Sequence, residues 1–298
     1  MLFSQKSIEQ KRVDFRMALD SNTLLRFPGA FSPLVAMLIE QMGFEGVYIS
    51  GAVLSNDLGL PDIGLTTLSE VSMRGRAIAR VTKLPAVIDI DTGFGEILNV
   101  ARTIRELEEL GLCGVHLEDQ VSPKRCGHLD NKTLIDTMTM VQKVKAAAKA
   151  KHDQNFLLIA RTDARSVEGL NKAIDRAKAY MDAGADMIFP EALKDETEFE
   201  QFRKAIHIPL LANMTEFGKS TLLTYEQLQN LGYNIVIYPV TTLRLAMKAV
   251  EDGLASILEQ GSQEQLINNM QHRKRLYEIL HYEKYNQFDK NMMRYFEK

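Results

Sequence analysis

An eight-stranded parallel α/β barrel of the (β/α)₈ TIM type is the fold class this sequence predicts. Three observations predict it. Short apolar, β-rich runs alternate with longer stretches of helical period from residue 24 to residue 260. There are eight such runs, the number that closes a barrel of about 250 residues. No composition break, Pro/Ser linker or low-complexity tract divides the 298 residues, so one barrel domain over 1–298 is expected. Periodicity does not show closure, and an open doubly wound sheet satisfies the same alternation.

Each element has its own signal. Residues 1–22 read as a helix ahead of the barrel. Leu24–Phe27 is the first strand, and 32–43 the first barrel helix, with Gly43 as its C-terminal cap. Val47–Ser50 precedes helix 69–82, and Pro85 opens strand Ala86–Ile90, where a missing N–H is harmless. Helix 96–110 ends at Gly111 before strand Gly114–Leu117. Helix 132–151, strand Phe156–Ala160 and helix 168–183 follow, the last closed by Gly184. Strand Asp186–Phe189, helix 194–206, strand Pro209–Ala212, helix 224–231 with Gly232, and strand Ile235–Tyr238 complete the set, with 241–260 as the last barrel helix. Residues 262–298 form a helical C-terminal extension. Its Leu266, Met270, Leu276, Leu280, Tyr285 and Phe288 exceed what one barrel covers and point to packing on another subunit.

Composition narrows the function. Apolar residues make up 45% and charged residues 25%, the balance of a chain with a large core. A net charge of −3 and a pI near 6.1 argue against a nucleic-acid binder that relies on a basic surface. No apolar run reaches about 18 residues, so no transmembrane helix and no membrane partner are expected. The first residues lack the apolar stretch of a secretory signal. Two cysteines, Cys113 and Cys126, make no disulfide framework, and a reducing cytoplasmic setting is expected.

Barrel enzymes work at the C-terminal ends of their strands, and the polar residues collect there. Strand two runs through Tyr48 into Ser50-Gly51-Ala52. Strand three ends Asp89-Ile90-Asp91-Thr92-Gly93-Phe94-Gly95, and strand four His116-Leu117-Glu118-Asp119. Strands five to seven end in Arg161-Thr162-Asp163, Phe189-Pro190-Glu191 and Asn213-Met214-Thr215-Glu216. A period of two puts Asp89 with Asp91, His116 with Glu118, Arg161 with Asp163 and Phe189 with Glu191. A single strand-end acid is usually a helix cap. Acids on five strands repel one another unless a cation sits among them. Oxygen ligands without a His/Cys cluster favour Mg²⁺ or Mn²⁺.

Past strand four comes Lys124-Arg125-Cys126-Gly127-His128. Its cationic side chains are expected to lower the pKa of Cys126. Gly127 suits a loop that closes on a ligand. Cys113, among Leu110, Leu112 and Val115, reads as a small core residue. No P-loop, dinucleotide fingerprint or G-x-S-x-G elbow is present.

The cysteine motif together with Asp89–Gly95 resembles the isocitrate lyase and phosphoenolpyruvate mutase superfamily. The match extends from Arg26-Phe27-Pro28-Gly29-Ala30 through Leu60-Pro61-Asp62, Tyr238-Pro239-Val240 and on to Met270-Gln271-His272-Arg273. The resemblance is closest to the members acting on 2-methylisocitrate, and the cysteine motif sets the carbon–carbon lyases apart from mutase and hydrolase relatives, which lack it. The resemblance implies a homotetramer exchanging C-terminal helices and reversible cleavage of a small tricarboxylate to pyruvate and succinate. It implies a metal site at Asp89 and Asp91 with Glu118, and a substrate-binding turn at Ser50, Gly51 and Ala52. It places Cys126 and Gly127 on the catalytic loop, with Cys126 as proton donor. Arg161, Glu191, Asn213, Met214, Thr215, Arg244 and Arg273 match substrate-contacting positions. The base that takes the hydroxyl proton is Tyr48 or Glu118. Isocitrate cleavage to glyoxylate and succinate is the nearest alternative, and an oxaloacetate-type decarboxylase or hydrolase a more distant one.

Overall fold

The computed structural model describes residues 6–129 and 131–295, so the expectation for residues 1–5 lies outside the described residues. In chain order the elements are α1 (Ile8–Leu19), β1 (Leu25–Pro28), α2 (Pro33–Gln41), β2 (Val47–Ile49), α3 (Gly51–Asp57), α4 (Leu68–Ala79), β3 (Ala86–Asp89), α5 (Ile97–Glu109), β4 (Gly114–Glu118) and α6 (Thr137–Ala150). They continue with β5 (Leu157–Thr162), α7 (Ala164–Val167), α8 (Leu170–Asp182), β6 (Met187–Pro190), α9 (Glu196–Ala205), β7 (Leu211–Asn213), α10 (Tyr225–Asn230), β8 (Ile235–Tyr238), α11 (Thr241–Gln260), α12 (Arg273–Ile279) and α13 (Tyr282–Tyr295). The chain divides into two compact units between Leu243 and Arg244. The sequence reading started its extension later, at residue 262.

In the N-terminal unit all eight strands are parallel. They form two sheets, β2-β3-β4-β5-β6 and β1-β8-β7. Single parallel bridges join them: Gly29 to Tyr48 on one side and Ile188 to Leu210 on the other. The sheet is therefore closed, and the open alternative falls. Alternating side chains sort into two cores. Leu25, Phe27, Val87, Leu157, Ile159, Met187, Phe189, Leu211, Ile235 and Ile237 fill the barrel interior. Val47, Ile49, Ile88, Val115, Leu158, Ile188 and Val236 face the surrounding helices.

Helix α1 plugs the end where the strands begin. Phe15 packs on Phe27 with ring centroids 5.4 Å apart. Buried Arg12 donates to the carbonyls of Leu112 and Glu108, and buried Lys11 to those of Ala79 and Thr82. These carbonyls lie at helix ends and strand entries, where no ladder satisfies them.

Two local differences from the sequence reading have physical reasons. The helix read at 132–151 starts at Thr137, because Asp136 caps it by accepting from the Thr139 N–H at 3.0 Å. Residues 133–135 instead pair back to residues 119–121. Helix α3 was not anticipated, since Ser55-Asn56-Asp57 has the composition of a loop.

The C-terminal unit holds the rest of α11, a 3₁₀ turn at Glu264–Asn269, α12 and α13. Tyr277 and Tyr282 stack with centroids 4.7 Å apart. No residue of α11 is buried, and Leu245, Met247, Val250, Leu254 and Leu258 are exposed on it.

Candidate active site

The interior-facing series turns polar at its upper end. Val87 is followed by Asp89, Gly114 by His116 and Glu118, Ile159 by Arg161, Met187 and Phe189 by Glu191, and Leu211 by Asn213. Register brings these into layers, with Asp89 beside His116 and Arg161 beside both Glu118 and Phe189. The alternation that packs the core thus delivers three acids, a histidine, an arginine and an amide to the mouth.

Asp89 and Asp91 do converge, but not by strand period. The strand ends at Asp89, and Asp91 has left-handed backbone with φ +48°. Its N–H donates to Asp89 Oδ1 at 2.9 Å, folding the turn back on the strand. Gly51 lies against both carboxylates and donates its N–H to Asp89 Oδ2 at 3.1 Å. A Cβ there would stand 2.9 Å from Asp89 Oδ2 and 3.1 Å from Asp91 Oδ1. Glycine is required by that approach.

The charges are buried and matched. Burial and the neighbouring Asp89 charge push the Asp91 carboxyl up to about 6, against Lys124. Burial works against Asp89 too, yet His116, Lys124 and Arg161 hold it well below the usual carboxylate range. Burial keeps Glu118 well above that range despite Arg161, whose Nη1 lies 3.3 Å from Glu118 Oε2. Arg161 forks onto Asp163, Nε to Oδ2 at 3.0 Å and Nη2 to Oδ1 at 3.1 Å. It also reaches Glu191 at 3.5 Å and sits 5.2 Å above the Phe189 ring, which floors the site. Tyr48 and Asp89 both face Nε2 of His116, and burial holds the Tyr48 phenol neutral.

The cysteine loop is folded over this mouth. Its base is pinned by the Val121 N–H to the Thr133 carbonyl and by the Gln120 amide, which clasps the Arg125 backbone at both its N–H and C=O. Lys124 reaches Asp62 and, at 2.8 Å, Asp91 Oδ1. His128 pairs with Glu191, while its Nδ1 accepts from the Lys219 N–H at 2.9 Å. Asn213 Nδ2 lies 3.3 Å from each Glu191 oxygen.

One expectation is overturned here. The motif's cations do not lower the Cys126 pKa. Lys124 is turned to Asp62 and Asp91, and Arg125 points to solvent. Burial, with the Glu191 and Asp62 charges, pushes the Cys126 thiol up; the His128 backbone and Arg161 only partly oppose this. Cys113 is fully buried in the barrel interior.

Among the described residues, six buried side-chain polar atoms have no hydrogen-bond partner. Five belong to this site: Asp91 Oδ1, His116 Nδ1, both Glu118 oxygens and Asn213 Oδ1. Asp91 and Glu118 have ion-pair contacts but no hydrogen bond. Such atoms each cost about 1–3 kcal/mol and persist where a ligand satisfies them. The donor set at Asp89, Asp91 and Glu118 is oxygen only, which fits a hard divalent cation. Among the described residues no group of three or more Asp, Glu, His or Cys side chains is arranged to hold a metal ion by itself. A cation here would keep water or substrate oxygens in its shell.

The family model described as phosphoenolpyruvate phosphomutase matches residues 15–258. The chain belongs to the PEP mutase/isocitrate lyase superfamily. It is 59% identical to the probable 2-methylisocitrate lyase 1 of Corynebacterium glutamicum, over 97% of this chain and 95% of that one. It is 45% identical to the 2-methylisocitrate lyase of Bacillus subtilis, with the same coverage. Among solved superfamily structures, oxaloacetate acetylhydrolase with 3,3-difluorooxalacetate superposes with a TM-score of 0.91 at 29% identity, covering 97% and 98%. Phosphonopyruvate hydrolase with oxalate and Mg²⁺ gives 0.85 at 32%, covering 93% and 97%.

Within this superfamily fold, the site gathers Tyr48, Gly51, Asp89, Asp91, Glu118, Arg161, Glu191 and Asn213 by contacts already given; Ser50 is buried just ahead of Gly51 at the start of α3, and Gly127 lies against Arg161 and Glu191. Ala52 continues α3 from Gly51. Met214 is buried and accepts from the Leu223 N–H at 3.2 Å, so it anchors the loop after β7; Thr215 is buried beside it. Arg244 and Arg273 belong to the C-terminal unit. Sequence reasoning gave no role to Asp62, although Leu60-Pro61-Asp62 was among the matching pieces. It also missed His116 as the link between Tyr48 and Asp89, and it missed Lys132.

Proposed function

We propose that this chain is a carbon–carbon lyase that splits 2-methylisocitrate into pyruvate and succinate in the presence of Mg²⁺, with Mn²⁺ as the alternative ion. The observation that carries the reading is the buried cluster of Asp91, Glu118 and Asn213 oxygens, ion-paired at most to Lys124 and Arg161, beneath a loop whose thiol is pushed up by burial. The names of the curated relatives support the substrate, and the Mg²⁺ in the phosphonopyruvate hydrolase complex supports the ion.

Asp89, Asp91 and Glu118 would hold the ion. When bound it supplies charge neutralisation for the acidic substrate and draws electrons toward the C2 oxygen. The Ser50-Gly51-Ala52 turn receives the oxo-acid half. Arg161, Glu191, Asn213, Met214 and Thr215 receive the succinate half, arginine suiting bidentate carboxylate binding; Arg244 and Arg273 are assigned as substrate contacts on the resemblance alone. A base takes the C2 hydroxyl proton. Tyr48, whose hydroxyl faces His116 Nε2, and Glu118 are the two candidates for that base. The C2–C3 bond then breaks, and its electron pair moves onto the succinate carbon. Cys126 returns a proton to that carbon. A thiol raised by burial keeps its proton at neutral pH, as a general acid requires. Loop closure excludes water from the carbanion.

The working form we propose is a cytoplasmic homotetramer in which residues 262–298 dock on a neighbouring subunit. The exposed apolar side chains of α11 and the two free cysteines support it. Among the described residues, no helix is long and apolar enough to cross a membrane.

NMR analysis of products tests the reaction, with purified protein and Mg²⁺ offered 2-methylisocitrate and isocitrate separately. Pyruvate with succinate is expected. The substrates differ by one methyl, worth about 1–3 kcal/mol or roughly 10- to 200-fold in kcat/KM. A ratio at or below one assigns the chain to isocitrate cleavage instead.

A further inference from the structure

We propose that Lys132 is a positioning residue for the reaction, its buried ammonium latching the loop that carries Cys126 to the ion pair that orients Arg161. This rests on the reading of Cys126 as proton donor and Arg161 as a carboxylate holder. Lys132 Nζ donates to the Gly127 carbonyl and lies 2.9 Å from Asp163 Oδ1. The two side chains are 1% and 0% exposed. The same Asp163 takes the Arg161 fork, and its own N–H donates to Asp119 Oδ1 at 2.9 Å. One chain of contacts therefore runs from the peptide beside Cys126, through Lys132 and Asp163, to the guanidinium.

The loop does not need Lys132 for its base, which Gln120, Val121 and Thr133 already hold. Lys124 and His128 fix its other points through carboxylates. Lys132 differs in holding backbone, and it does so at the tightest point between loop and barrel. A Cβ on Gly127 would lie 2.4 Å from Arg161 Nη2 and 2.6 Å from Glu191 Cγ. A buried ammonium is unfavourable unless well paired. Here its two acceptors belong to the two bodies that must meet. Without it the Gly127 carbonyl loses its donor, and Asp163 is left to Arg161 alone.

The test uses the full chain in a Cys113→Ser background, so that Cys126 is the one thiol. Two rates are measured for Lys132→Met and Lys132→Arg. One is alkylation of Cys126 by iodoacetamide without Mg²⁺ or substrate. The other is steady-state cleavage of 2-methylisocitrate with Mg²⁺. Alkylation should rise about 10-fold in Lys132→Met as the loop opens locally. Its kcat should fall by about 10²-fold, as misplacement of a reacting group by an ångström does, with a smaller change in KM. Lys132→Arg should recover part of both. An unchanged alkylation rate in folded Lys132→Met overturns the latch, whatever happens to kcat. If circular dichroism shows Lys132→Met unfolded, Lys132→Gln is read by the same two rates. Failure of both to fold overturns the proposal in favour of a purely structural lysine. A parent inactive on 2-methylisocitrate sinks the lyase reading and leaves the alkylation rates to decide the latch.

Discussion

Cys126 and Cys113 are the same side chain in two surroundings, and the difference can be measured. Both thiols are raised by burial, but only Cys126 lies on the loop at the mouth. Cys126→Ser should bind substrate and turn over at least about 10²-fold more slowly, since a hydroxyl is a much poorer proton donor. Cys113→Ser should keep its kcat and lose only stability, through a polar atom in the barrel interior. Equal behaviour of the two variants in steady-state kinetics would reverse the assignment. The acids make a second prediction. EDTA should abolish cleavage, and Mg²⁺ should restore it. Asp89→Ala should stay inactive in any metal while keeping its far-UV circular dichroism. Full activity in chelated buffer would remove the cation from the reading. The reason Lys124 misled at this scale is distance along the chain: its partner Asp62 comes from another loop, 62 residues earlier. Motif spacing displays neighbours in sequence, and the charge that counts is the one brought in by the fold.

Elements were legible where one residue type decides them. Gly43, Gly111, Gly184 and Gly232 all adopt positive φ just past α2, α5, α8 and α10, as C-terminal glycines do. All eight strand runs fall on strands, with ends displaced by a residue or two. The 132–136 stretch was not legible, because helix-forming residues there are claimed by the returning side of the cysteine loop. The role of α1 was equally hidden: nothing in Lys11-Arg12 announces that both cations bind carbonyls from distant helix ends. That role carries its own prediction. Arg12→Ala leaves the Leu112 carbonyl, and that of Glu108, without this buried donor. It should cost about 2–4 kcal/mol. Thermal melting should drop by several degrees, while kcat/KM at 25 °C stays within about twofold, since α1 plugs the opposite end from the mouth. A large loss of activity without a fall in melting temperature would contradict this division.

At the scale of the whole molecule, assembly and activity are expected to fail together. Deleting residues 262–298 should reduce the mass seen by light scattering and should also remove cleavage, because Arg273 goes with them. A truncated chain that remains a fully active large assembly would refute the docking of this segment on a neighbour. The two seams of the barrel have a consequence of another kind. Each is a single bridge, Gly29 to Tyr48 and Ile188 to Leu210, while the other strand pairs share ladders of three to five registered residues. Asn213 stands on the three-stranded piece; Asp89, Glu118, Arg161 and Glu191 stand on the five-stranded one or at its end. The candidate site therefore straddles the two most sparsely bridged joints of its own scaffold. Breathing along these joints is expected to separate the Asn213 amide from the acids before any helix melts. In deuterium exchange the amides of Ala30 and Ile188, which bond across the seams, should label ahead of those inside β4 and β5. On slow heating, turnover should cease several degrees below the loss of helical ellipticity, so the protein would fail as a working machine while still folded to the eye of a spectrometer.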